Sequence, residues 1–329
     1  MTTRRELLIA SGASVLAPST AFAQTPGKVW RVGFLAQRHI DFIDADWSYG
    51  PFTRGMRELG YAVGGNLVIE WRSAEGKAER LPELAAELVR LKVDVLVTSG
   101  TPPALAAQKA TTTLPIVMIN VADPVGSGLV KSLARPGGNI TGFSNLSADI
   151  APKLLELLHG MVRQVSRVAV LVNPSDVGTV LAMKNIQAAA LRTGVTVQPV
   201  EARTPQEIEN AFAVMMRQKA GALIVPRNTL FQQQKSQIVE LVTKHRLPSI
   251  GGYAEFVEAG GLMSYGNNIG ENYRRAPTYV DKIFKGANPG DLPVEQPTTF
   301  EMVVNMKTAK ALGIKVPQTI LIQATKVIE

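Results

Sequence analysis

A chain of 329 residues, 46% hydrophobic and 19% charged, is long enough for two cores and is composed like an ordinary globular protein. The absence of cysteine excludes disulfides, thiolate catalysis, Cys-ligated zinc, iron–sulfur clusters and a lipidated N-terminal cysteine. The net charge of +8 comes from scattered Lys and Arg, so it reads as a basic solvated surface and not as a nucleic-acid footprint.

In chain order, residues 1–23 stand apart. Arg4 and Arg5 precede the short apolar run "LLIASGASVLA", and Ala21-Phe22-Ala23 forms a small-residue cleavage site before Gln24. This is the pattern of a removable secretory signal, by the general or the twin-arginine route, and it predicts a periplasmic mature chain that is not a lipoprotein. No later run of roughly 18 apolar residues follows.

From Trp30 onward, apolar strands alternate with helical patterns, the signature of βαβ units and parallel sheets. The first half predicts strands at Trp30–Leu35, Leu67–Trp71, Val93–Thr98 and Ile116–Ile119. Helices fall between them at about Tyr49–Leu59, Leu81–Leu91 and Pro103–Ala110. The second half predicts strands at Val168–Val172, Thr196–Val200, Ala222–Val225 and Pro248–Ile250, with a helix that ends at Gly194. Three Gly/Pro-rich stretches interrupt this pattern: "ARPGGNITGFSNLSADIAPK", "SIGGYAEFVEAGGLMSYGNN" and "GANPGDLPVEQP". They predict three chain crossings between two lobes.

The segments "FTRGMRELGY", "GLVKSLARPGGNITG", "KHRLPSIGGYAEFVEAGGLMSYG" and "DLPVEQPTTFEMVVNMKTAKALGI" closely resemble the ABC-importer substrate-binding proteins that include the tryptophan-binding members. The resemblance runs from about Trp30 to Ile328. It implies a type I periplasmic-binding fold: two Rossmann-like lobes with parallel sheets, a three-segment hinge and a ligand in the cleft. It also implies an ABC permease as partner and a monomer with no cofactor or metal. Lobe 1 is expected over 28–143 plus about 252–288, and lobe 2 over 144–251 plus about 289–329.

Ligands of open parallel sheets bind beyond the carboxyl ends of the strands, so the residues there are the candidates. After the first strand these are Gln37 and His39, with Phe42, Trp47 and Tyr49 available to stack on a ligand. After the third come Ser99, Gly100 and Thr101. Thr101 is placed to cap the next helix and Pro102 to fit its first position, leaving a helix N-terminus suited to an anion. Asn120 and Asp123 follow the fourth strand, and Ser144 and Asn145 lie at the first crossing. The second lobe offers Asn173, Ser175, Arg227 and Asn228, with Tyr253 and Tyr265 in the glycine-rich zone.

In the tryptophan-binding relatives the position of Arg227 is often Asp or Asn within an Asp-Asn-Thr stretch. An arginine there repels an ammonium and favours a carboxylate. The expected ligand is therefore an aromatic amino acid or an aromatic or aliphatic carboxylate. No GxSxG, HExxH, P-loop or GxGxxG motif is present, so binding without turnover is expected. The alternative is a two-lobed enzyme acting on a small anionic substrate. A transcription-factor sensor domain would begin with a helix-turn-helix where this chain has its signal-like segment.

Overall fold

The computed structural model describes residues 28–38 and 49–329. The signal-like segment and the stretch carrying His39, Phe42 and Trp47 lie outside the described residues, and only the backbone of Tyr49 is described.

Lobe 1 is built from β1 (Trp30–Ala36), α1 (Tyr49–Glu58), β2 (Leu67–Ser73), α2 (Leu81–Arg90), β3 (Val95–Ser99), α3 (Thr101–Ala110), β4 (Ile116–Val121) and β5 (Ile140–Ser144). Its sheet has the order β2-β1-β3-β4-β5, and every pair is parallel. Strands β4 and β5 are buried throughout, as a sheet covered on both faces requires.

The chain then enters lobe 2 through α4 (Ala151–Met161), β6 (Arg167–Val172), α5 (Val177–Ala190), β7 (Thr196–Glu201), α6 (Pro205–Arg217) and β8 (Ala222–Val225). It continues with α7 (Thr229–Gln233), α8 (Lys235–Lys244), β9 (Ser249–Gly251), α9 (Glu255–Glu258) and β10 (Met263–Gly266). Helix α10 (Ile269–Phe284) returns to lobe 1. Then β11 (Glu301–Asn305), α11 (Met306–Leu312), α12 (Gln318–Gln323) and β12 (Lys326–Ile328) complete lobe 2. The second sheet runs β12-β11-β10-β9-β8-β6-β7, parallel except where β11 meets β10.

The three crossings lie between β5 and α4, between β10 and α10, and before β11. The second and third fall later than the sequence predicts. Residues 252–266 stay with lobe 2, because β10 pairs with β9 and β11. Residues up to Glu295 stay with lobe 1: Val294 N–H donates to Leu133 O (2.7 Å) and Ser144 N–H to Glu295 O (2.9 Å).

Two local expectations also change. Helix α5 ends at Ala190, and Gly194 sits four residues on with φ +69°, in the turn into β7. Thr101 is the first residue inside α3, with Gly100 (φ +92°) in the capping position.

Candidate ligand-binding cleft

The carboxyl ends of β1, β3 and β4 face those of β6 and β8 across a cleft of about 540 Å³ of empty volume, open mouth included. The lobes touch across it. Arg38, just past β1, donates from Nη2 to Gln232 Oε1 on α7. Near the start of α5, an added Cβ on Gly178 would lie 2.9 Å from Ala122 Cβ, just past β4.

Of the sequence-predicted residues, Ser99, Gly100, Thr101, Asn120, Asn145, Arg227 and Asn228 line this cleft. Ser99 Oγ is hydrogen-bonded to Tyr273 OH of α10. Thr101 Oγ1 accepts from Ala122 N–H at 3.3 Å. The start of α3 holds fewer donors than a helix N-terminus usually does, because both Pro102 and Pro103 lack an N–H. Among the first three helical residues Thr101 alone has one.

The other predicted residues point elsewhere. Gln37 uses its carbonyl to hold Gly76 N–H (2.7 Å), and its neighbour Arg38 is the residue that lines the cleft. Asp123 Oδ1 accepts from Gly126 N–H (2.8 Å), a local turn. Ser144 is buried behind the cleft wall, where its hydroxyl accepts from Leu146 N–H (3.3 Å). Asn173 folds onto Ser175 N–H (3.0 Å), and Ser175 itself is exposed. Tyr253 is fully buried in the lobe 2 core with its hydroxyl on Phe231 O (2.9 Å). Tyr265 stacks on Phe300 (5.8 Å between centroids) against the opposite face of that sheet.

Hydrogen bonding fixes the chemistry of the polar lining. Asn228 caps α7: its Oδ1 accepts from Leu230 N–H (2.9 Å) and Phe231 N–H (3.3 Å). Its amide nitrogen therefore faces the other way and donates to Asp176 Oδ2 (2.6 Å). Asp176 caps α5, and its Oδ1 takes Gly178 N–H (2.9 Å). Burial pushes the Asp176 carboxyl above the usual carboxylate range, against the pull of the Asn228 and Gly178 hydrogen bonds.

Asn120 holds a left-handed backbone (φ +60°), a conformation that non-glycine residues adopt mainly where the surroundings impose it. Asn272 Nδ2 donates to Ser144 O (3.1 Å), which fixes that amide, and also to Asn120 Oδ1 (2.7 Å). The Asn120 Nδ2 donor is thus oriented away from Asn272; it is buried and has no partner. Arg227 donates from Nη2 to Asn267 O (3.0 Å), while its Nε and Nη1 are buried without partners. Burial pulls its guanidinium below the ordinary arginine value, with the nearby Glu255 carboxylate acting the other way.

Arg38, Asp176, Gln232 and Tyr273 were not picked out as candidates from the sequence. Gln232 sits four residues after Asn228, the spacing that puts both on one helix face. Asp176 is the capping residue of a helix that starts at the cleft, a position legible in "NPSD". Tyr273 follows no strand of its own lobe, so a search at strand ends passes over it.

A family model described as ABC transporter substrate binding protein matches residues 43–328. The chain belongs to this family. This substrate-binding protein is 29% identical over 265 residues to the tyrosine-binding protein of Clostridioides difficile, a match covering 80% of this chain and 76% of the relative. A Streptococcus pneumoniae ABC domain solved in complex with L-Trp superposes with a TM-score of 0.83 at 28% identity, covering 91% of this chain and 99% of that one. The ligand-free, open structure of a Clostridium difficile substrate-binding protein with adhesive properties gives a TM-score of 0.65 at 26% identity, covering 91% and 99%. No helix among the described residues is long and apolar enough to cross a membrane.

Proposed function

We propose that this protein is the exported solute-binding component of an ABC importer, holding a small organic molecule between its lobes and delivering it unchanged to a membrane permease. The ligand class is an aromatic amino acid or an aromatic or aliphatic carboxylate. The observation that carries this reading is the pairing of one cleft with two lobes in contact. Residues with buried polar atoms that have no partner line the cleft from both sides, Asn120 on lobe 1 and Arg227 on lobe 2. Such atoms are costly in an empty site and are what a ligand would satisfy.

The contacts between Arg38 and Gln232 and between Ala122 and Gly178 belong to a closed arrangement. The higher similarity to the L-Trp complex than to the open, ligand-free structure supports the same reading. Closure about the three crossings would bury the ligand and form the surface a permease reads. The signal-like segment supports export, with Gln24 as the mature N-terminus and a monomer in the periplasm.

Native mass spectrometry of protein purified without denaturation tests the reading, combined with solution scattering before and after ligand is removed. The expected results are one small molecule released chemically intact and a radius of gyration that rises on its removal. A molecule converted during incubation, or an unchanged scattering profile, would refute it.

A further inference from the structure

The hydrogen-bond inventory of the cleft discriminates between the two ligand classes. Asn120 Nδ2, Arg227 Nε and Arg227 Nη1 belong to residues of the cleft lining, are buried without partners, and are all donors. The assignment of Asn120 does not rest on choosing an amide orientation. Ser144 O can only accept, so Asn272 must present its nitrogen there, and the same nitrogen makes Asn120 Oδ1 the acceptor.

Among the described residues of the lining, charged acceptors are fewer than charged donors. An ammonium brings three donors and needs acceptors for each. Asp176 is the one carboxylate lining the cleft among the described residues, and one hydrogen bond to each of its oxygens leaves it about two lone-pair sites. Among the described residues the formal charge of the lining is two guanidiniums, Arg38 and Arg227, against that one carboxylate. Arg38 is engaged by Gln232. Among the described residues Arg227 has no carboxylate within ion-pair distance, and Glu255 offsets its buried charge only from farther off. A buried unpaired charge is destabilising until an anion meets it. Pro102, Ala122, Ile269 and the Tyr273 ring supply walls for a neutral or apolar body.

We infer that the ligand is a carboxylate with no ammonium beside it, held from opposite walls by the Asn120 amide and the Arg227 guanidinium. This rests on the solute-binding reading above and narrows it. A carboxylate supplies about four lone-pair sites and no donor, which matches three donors waiting without acceptors. An α-amino acid would bring its ammonium within one bond of the carboxylate carbon's neighbour, into the field of Arg227. Asn120 is the lobe 1 counterpart of Arg227, with a left-handed backbone and its amide oxygen held by Asn272.

The test is calorimetry on ligand-stripped wild-type protein with matched pairs that differ only in the amino group: indolepropionate against L-tryptophan, hydroxyphenylpropionate against L-tyrosine, and isocaproate against L-leucine. Indolepropionamide serves as the uncharged control. The expected result is that, in at least one pair, the deaminated acid binds at least about tenfold more tightly than both its amino acid and the amide. Arg227→Met and Asn120→Asp, each checked for an unchanged unfolding transition, should each weaken the acid at least about tenfold and leave the amide within about threefold. Tighter binding of any amino acid than of its deaminated partner overturns the inference. So does binding of no acid at all, and so does an Arg227→Met protein that binds the acid as well as wild type. Scattering separates the two levels of failure. Amino acids that bind and close the lobes sink the carboxylate assignment alone, whereas no closure with any bound molecule sinks the solute-binding reading as well.

Discussion

Gly178 is a point where lobe 2 backbone closely approaches lobe 1, and replacing it separates stability from affinity. Its φ is not in the left-handed region, so alanine is conformationally acceptable at this second position of α5. In an isolated lobe 2, Gly178→Ala should stabilise the helix by up to about 1 kcal/mol, because alanine surrenders less backbone entropy. Closed, the new Cβ would stand 2.9 Å from Ala122 Cβ. Carbon atoms prefer about 3.5–4.0 Å, so the lobes must part by roughly 0.6–1.1 Å at that point. Overpacking of this kind costs about 1–3 kcal/mol; the Ala122 clash falls on the closed form alone, while a milder 3.2 Å approach to Asp176 Oδ1 within lobe 2 is common to both forms. The two effects carry opposite signs. Thermal unfolding of ligand-free protein should move upward or stay put, while calorimetry with the co-purifying ligand should show affinity about 5- to 150-fold weaker. Affinity within about twofold of wild type would mean that Ala122 and Gly178 do not meet in the bound state, and the argument from closure would fail.

Three further outcomes follow from the same geometry. Gly142→Ala in β5 should destabilise lobe 1 by about 3 kcal/mol or more, since at φ +135° its Cβ would fall on Met118 O and 2.7 Å from Met118 N. An unchanged denaturant midpoint would contradict this. Gln232→Ala removes a buried charged hydrogen bond between the lobes and should speed ligand release by about 10- to 100-fold in stopped-flow with little change in the unfolding temperature of the ligand-free protein. Equal release rates would show that Arg38 finds another partner on closing. In alkali, burial and then the hydrogen bond to Asp281 hold Tyr61 up to about 12, and burial raises Tyr253 and Tyr279 as well. A raised tyrosine pKa adds stability below the ordinary value near 10 and loses it as pH climbs toward the folded value. Phenolate absorbance from these residues should therefore appear together with unfolding above pH about 10, and full titration of all tyrosines near 10 in the folded protein would refute it.

The sequence made the alternation of strands and helices legible because the strands buried on both faces are unbroken apolar runs, such as "IVMIN" in β4 and "ALIV" in β8. It hid β5, because Ile140-Thr141-Gly142-Phe143-Ser144 is composed like a turn. Gly142 is there for the close approach of Met118 and not to reverse the chain. It hid β10 for a related reason: four residues, "MSYG", inside a glycine-rich zone carry too short a pattern. That is why the second crossing was expected before α9 rather than after β10. Position along a strand end led to Ser99, Asn120 and Arg227, which line the cleft. It failed for Tyr253 and Tyr265, because an aromatic beside a glycine turn has two directions available and composition does not choose between them. Here the core claims one ring and Phe300 the other. The charge of Arg227 was visible in "PRNT". Its lack of a counter-charge depends on which side chains surround it, and only three-dimensional placement supplies that.

The return of α10 to lobe 1 has a consequence for how the chain matures. Ile269, Tyr273, Ala276, Tyr279, Val280 and Phe284 fill the face of the first sheet that also holds Phe34, Phe52, Val97 and Ile119. Gly55 of α1 is pressed against Pro277 and the Arg274 carbonyl, where an added Cβ would sit 2.8 Å from Pro277 Cγ. A nascent chain emerging from its N-terminus has all five strands of that sheet long before it has the helix that covers them. The uncovered face must wait through synthesis of almost the whole second sheet, an interval in which an apolar surface is open to aggregation or to a holdase chaperone. Acquisition of the native state is then gated by one long-range docking event, and contacts of such high sequence separation fold slowly.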